Sequence, residues 1–116
     1  MYHRENAQEG FLVLVGECVL IVEDQERRLK AWDFFHCPGG TEHMIVATGE
    51  QAAVVVAVGG RGRGVGGGVV YTVSEVAARH GVSVKRETTD PAEAYEDLPR
   101  SERVKYRPGL LPDISR

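Results

Sequence analysis

The sequence predicts an all-β domain, an antiparallel sandwich or barrel followed by one or two short C-terminal helices. Six short runs of strand-forming residues lie close together between Phe11 and Val58, separated by turn signals and with no helical pattern between them. Two runs, Phe11-Leu12-Val13-Leu14-Val15 and Ala53-Val54-Val55-Val56-Ala57-Val58, are apolar on both faces. A one-sided sheet alternates polar and apolar residues, so these strands are expected to be covered on both sides, by a barrel interior and by a second sheet or subunit. Helix signals begin only after residue 73. Residues 1–73 are therefore expected to form the barrel strands, and 74–116 short helices and an irregular tail packed on the same single domain.

The expected strands are Phe11–Val15, Cys18–Glu23, Arg27–Ala31, Phe34–Cys37, His43–Thr48 and Ala52–Val58, with Val69-Val70-Tyr71 as a further short one. Gly16–Glu17, Asp24–Glu26, Trp32–Asp33, Pro38–Gly40 and Gly49–Glu50 are the connections. Gly59–Gly68 reads as a flexible loop. Thr72 and Glu75 have capping-box spacing before a helix over Ser74–His80 that Gly81 can end. Pro91 opens a second helix over Ala92–Asp97, at a position where its missing N–H costs nothing. The segment Pro99–Arg116 is charged and proline-punctuated, without regular structure.

Composition limits the function classes. The chain has 116 residues, 42% hydrophobic and 27% charged, which fits one modest core. Fourteen Lys+Arg against 17 Asp+Glu give a net charge of −3, so there is no general electrostatic case for nucleic acid or an anionic membrane. No apolar run reaches the ~20 residues of a spanning helix, and the polar N-terminus lacks a secretory signal. Cys18 and Cys37 are too few for a disulfide framework. A cytoplasmic protein with two reduced thiols is expected.

Two motif matches fail on context. Gly62-Arg63-Gly64-Val65-Gly66-Gly67 is literally GxGxxG, but a dinucleotide site needs a helix to open there, and Val69-Val70-Tyr71 reads as strand. Ser74–Ser83 sounds like the first helix and turn of a helix-turn-helix, but no recognition helix follows.

A third pattern holds together. Glu9 is followed by six residues and then Gly16, with His3 upstream; Pro38 and Gly40 are followed after two residues by His43. These blocks resemble the paired motifs of the cupin family, H-x-H-x(3,4)-E-x(6)-G and G-x(5)-P-x-G-x(2)-H-x(3)-N, over roughly residues 2–60. The resemblance implies a double-stranded β-helix barrel whose motif residues hold a divalent metal, Fe, Mn, Ni or Zn, at the open end of a small-molecule cavity. The implied ligands are His3, Glu9 and His43, with Glu5 as a fourth ligand or a general base. The sequence departs from the pattern: Trp32 stands at the first glycine of the second motif and Ala47 at its final asparagine. The H-x-H pair is incomplete. Either His3 is the first ligand, with Glu5 in the place of the second, or His3 is the second, with Met1 in the place of the first. If the protein is an enzyme, the resemblance implies metal-dependent dioxygenase- or isomerase-like chemistry. The alternative is a non-catalytic barrel that binds or senses a small molecule, or serves dimerisation, without functional metal.

Side-chain parity supports part of this. In continuous extended chain His3, Glu5 and Glu9 share a face with Phe11, Val13 and Val15. His36 and Cys37 do not match a ligand position, and burial accounts for Cys37. Trp32 and Phe34-Phe35 read as core or interface. The first motif begins at residue 3, where cupin domains usually carry earlier strands, so the chain is expected either to be truncated or to receive an edge strand from a partner. Together with the two-sided apolar runs, this predicts a homodimer.

Overall fold

The computed structural model describes residues 1–60 and 68–109. Eight strands, β1 His3–Arg4, β2 Glu9–Val15, β3 Cys18–Val22, β4 Gln25–Leu29, β5 Phe34–Cys37, β6 His43–Ala47, β7 Val54–Gly59 and β8 Val70–Tyr71, precede two helices, α1 Glu75–Arg79 and α2 Pro91–Ala94. The strands form two antiparallel sheets, a five-stranded one in the order β4-β3-β6-β1-β8 and a three-stranded one in the order β5-β2-β7. This is a jelly-roll β-sandwich, the fold class that the sequence predicts.

The element the sequence reading omitted is β1. It has two residues, yet it lies between β6 and β8, so the start of the chain is interior to the sheet rather than an edge. The second difference is the bend after it. Residues 5–8 leave the first sheet and cross to the second, where Glu9 begins β2. The parity argument for His3, Glu5 and Glu9 assumed one extended strand and does not apply; His3 and Glu9 belong to opposite sheets.

The turns follow backbone chemistry. The β3–β4 hairpin turns on Glu23 and Asp24, at φ 47° and 57°, one residue earlier than expected. Its left-handed backbone is held from outside: the Asp24 N–H donates to Tyr2 Oη at 3.1 Å, and Glu23 Oε1 accepts from the Glu42 N–H at 2.8 Å. Ser74, not Thr72, caps α1, its hydroxyl accepting from the Ala77 N–H at 3.0 Å. Asp90 caps α2 and Pro91 occupies its first turn, as expected. The GxGxxG segment and most of the Gly59–Gly68 loop lie outside the described residues, as does the end of the C-terminal tail; 99–109 contain no regular element.

The two sheets are covered differently. On the outer side of the five-stranded sheet, Tyr2, Val19 and Ile21 pack with Ala77 of α1, with Met44, Val46, Val76 and Val82 around them. A second cluster joins Met1, Tyr71, Val84 and Ala94 of α2. Between the sheets Val13, Leu20, Cys18 and Cys37 are buried. The outer side of the three-stranded sheet has no such cover among the described residues: Phe34 is 65% exposed and Val58 65%. The outer face of β2 and β7 is not covered among the described residues, because both helices pack on the other sheet. Among the described residues no helix is long and apolar enough to cross a membrane.

Candidate metal centre

His43 opens β6 because the preceding turn brings the two motif segments together. Gly40 sits at φ 84°, and its N–H donates to the Glu5 carbonyl at 2.7 Å. A Cβ on Gly39 would fall on the carbonyl oxygen of Asn6, so only glycine allows the turn to lie this close to the crossing segment. The turn then delivers His43 into register opposite His3, its direct partner on β1. The two rings face the interior with centroids 4.7 Å apart. Phe11 of β2 closes one side of His43, at a centroid distance of 5.6 Å.

Glu9 arrives from the facing sheet. Its Oε2 lies 2.7 Å from His43 Nε2. One ligand atom from each of His3, Glu9 and His43 can be chosen so that all lie within 4.8 Å of one another. His43 is only 3% exposed, whereas the Glu9 side chain retains 21%. Ala57 and Gly59 of β7, on the inner side by their pairing with Phe11 and Glu9, are exposed, so the sandwich is open beside Glu9.

Backbone carbonyls set both imidazoles. His43 Nδ1 lies 2.9 Å from the Thr41 oxygen and His3 Nδ1 2.9 Å from the Met1 oxygen. A carbonyl only accepts, so each Nδ1 carries its hydrogen and each Nε2 is left to serve as a ligand. Burial holds His3 below the usual histidine range, and neighbouring His43 lowers it further; the Met1 carbonyl and Glu9 act in the opposite sense. Desolvation, then the Glu9 charge, pushes the Cys37 thiol up to about 11, so this thiol, 3.2 Å from His43 Nδ1, is a neutral packing neighbour at ordinary pH.

Of the four sequence candidates, three converge and one does not. Glu5 is outside the group; its main chain serves the Gly40 turn. The orienting carbonyls of Met1 and Thr41 had no signature in the sequence, since any residue supplies one. Phe11 was placed on the interior face, but its contact with His43 was not legible. Two cavities, of about 380 Å³ beside α2 and about 240 Å³ between β3 and β4, are lined by none of the three residues.

A jelly-roll sandwich with two imidazoles and a carboxylate converging from opposed sheets defines a class of small barrel with a metal-type donor set at its mouth. The sequence matches the family model of the cupin domain over residues 1–59, and the chain belongs to the cupin family. A solved structure from Silicibacter pomeroyi DSS-3, described as a sugar phosphate isomerase from a cupin superfamily, is similar at 28% identity and a TM-score of 0.47, over 53% of this chain and 40% of that one. The chain thus spans less than half of that protein's length. No curated protein matches the chain significantly.

Proposed function

We propose that this cupin domain binds a divalent metal ion, Fe, Mn, Ni or Zn, through His3, Glu9 and His43, and uses the centre to hold a small organic molecule. The observation that carries the reading is the convergence of the three ligand atoms within 4.8 Å from two facing sheets. Two neutral imidazoles and one carboxylate suit first-row divalent ions and leave coordination positions open. When bound there, such an ion supplies Lewis acidity or a redox centre, the basis of isomerase- or dioxygenase-like chemistry.

The chain's own contribution is orientation. Thr41 and Met1 fix the imidazole tautomers, Phe11 and Tyr71 flank the rings, and Glu9 reaches solvent on the side where the sandwich is open. The two free, buried cysteines support a reducing compartment, the cytoplasm.

Elemental analysis of untagged protein tests the reading. Wild type supplied with the four metals is expected to carry close to one equivalent, His43→Ala at least tenfold less, and Glu5→Gln the wild-type amount. Near-zero content in the wild type would make Glu9–His43 a hydrogen-bonded pair with a structural role. The non-catalytic barrel would then be the better description.

A further inference from the structure

The geometry points to the cavity of about 240 Å³ between β3 and β4 as a second ligand site, one that takes a free α-amino acid with an apolar side chain. This does not rest on the metal reading, since none of His3, Glu9 and His43 lines the cavity. At about 30 Å³ for each water, the space equals roughly eight waters, which matches a molecule of about eight to ten non-hydrogen atoms.

Strand register explains why charges of both signs meet there. Cys18 pairs with Leu29 on one side and Ala47 on the other, so the next step along sets Glu17 between Lys30 and Thr48. The Thr48 N–H donates to the Glu17 carbonyl at 3.1 Å and holds that row together. Oppositely charged side chains directly across two strands attract one another. Yet among the described residues neither Glu17 nor Lys30 makes an ion pair, and both line the cavity. Arg28, two residues before Lys30 and on the same side by strand alternation, is equally unpaired there. Asp33 supplies a second carboxylate. Two cations and two carboxylates around one small cavity penalise a simple anion and a simple cation alike, whereas a zwitterion satisfies both. Leu29 and the buried Cys18 thiol, which burial keeps neutral at ordinary pH, supply the apolar lining for its side chain.

The turn that carries Lys30 and Asp33 adds an independent observation: this wall is fixed before any ligand arrives. The Lys30 N–H donates to Asp33 Oδ2 at 2.9 Å, and the Asp33 N–H donates back to the Lys30 carbonyl at 3.0 Å. Asp33 Oδ1 is left unengaged among the described residues. Between the two, Trp32 is held at φ 73° by its N–H bond of 2.7 Å to the Val13 carbonyl, a conformation that L side chains rarely adopt. Backbone strain of this kind concentrates at ligand clamps, and groups already fixed in place lower the cost of binding.

Isothermal titration calorimetry of the full chain with L-leucine, an amino acid of the size the cavity admits, tests this, with circular dichroism to verify folding. Leucine is expected to bind saturably at millimolar concentration or below. Leucinamide and 4-methylpentanoate, which each lack one of its two charges, should bind at least tenfold more weakly. Arg28→Gln and Glu17→Gln, both at exposed positions, should each weaken leucine at least fivefold with the β spectrum and the metal content unchanged. No saturable heat with leucine would overturn the proposal. So would leucinamide or 4-methylpentanoate binding as tightly as leucine, because the site would then not select a zwitterion. Leucine affinity that moves less than twofold in both folded variants would overturn it equally, by placing the ligand elsewhere.

Discussion

Replacing Gly39 by alanine should damage this protein far more than replacing its neighbour Gly40, although Gly40 is the one with the left-handed backbone. At Gly40, φ is 84° and nothing lies within 4 Å of an added Cβ, so alanine incurs only the conformational penalty, about 1 kcal/mol. At Gly39 the added Cβ would overlap the backbone oxygen of Asn6, and no side chain can rotate aside to make room. The turn is tied to the crossing segment by the 2.7 Å bond from the Gly40 N–H to the Glu5 carbonyl and closed by the 3.2 Å bond from the Thr41 N–H to the Pro38 carbonyl. Overpacking against fixed backbone costs up to roughly 3 kcal/mol, and loss of the Gly40–Glu5 bond about 1 more. Urea unfolding should therefore give a loss of roughly 3–4 kcal/mol for Gly39→Ala against about 1 for Gly40→Ala. Because this turn sets His43, Gly39→Ala should also weaken metal binding in protein that remains folded. A Gly39→Ala loss equal to or below that of Gly40→Ala would refute the claim that this contact joins the two motif segments.

Other expectations follow from the same geometry. Burial raises the Tyr2 hydroxyl to about 12, above the unfolded value of roughly 10, so its contribution is complete below pH 10 and is lost as pH rises toward 12. Wild type should lose about 2–3 kcal/mol more than Tyr2→Phe across that window, and equal slopes in the two proteins would contradict the burial argument. At neutral pH Tyr2→Phe should itself cost about 1–2 kcal/mol, since the Asp24 N–H loses its acceptor at a left-handed turn residue. Ser74→Ala should cost about 1 kcal/mol in thermal or urea unfolding, because the buried hydroxyl is the acceptor for the Ala77 N–H.

The β-sandwich was legible because strand runs, turns and the two motif spacings are local signals. The path between His3 and Glu9 was not. Alternation fixes faces only within one strand, and the six-residue separation hides a bend that moves the chain from one sheet to the other. Two errors cancelled there: the residues reach the same interior from opposite sheets rather than along one face. Glu5 lies on the crossing segment and is not among the three residues that converge. Trp32 was readable as a departure from a glycine position, and its φ of 73° supplies the physical meaning. The outer face of the three-stranded sheet, uncovered among the described residues, was half legible. Apolar runs on both faces call for cover on both sides, but sequence does not say that α1 and α2 cover the other sheet.

The central claim is that two imidazoles and one carboxylate, carried on opposed sheets, form a single metal centre. X-ray absorption on protein loaded with one equivalent of a first-row divalent ion measures this most directly. Wild type should show two imidazoles per ion among nitrogen and oxygen donors at about 2.0–2.2 Å, falling to one imidazole in His3→Ala. A spectrum without imidazole scattering, or one unchanged by His3→Ala, would contradict the account.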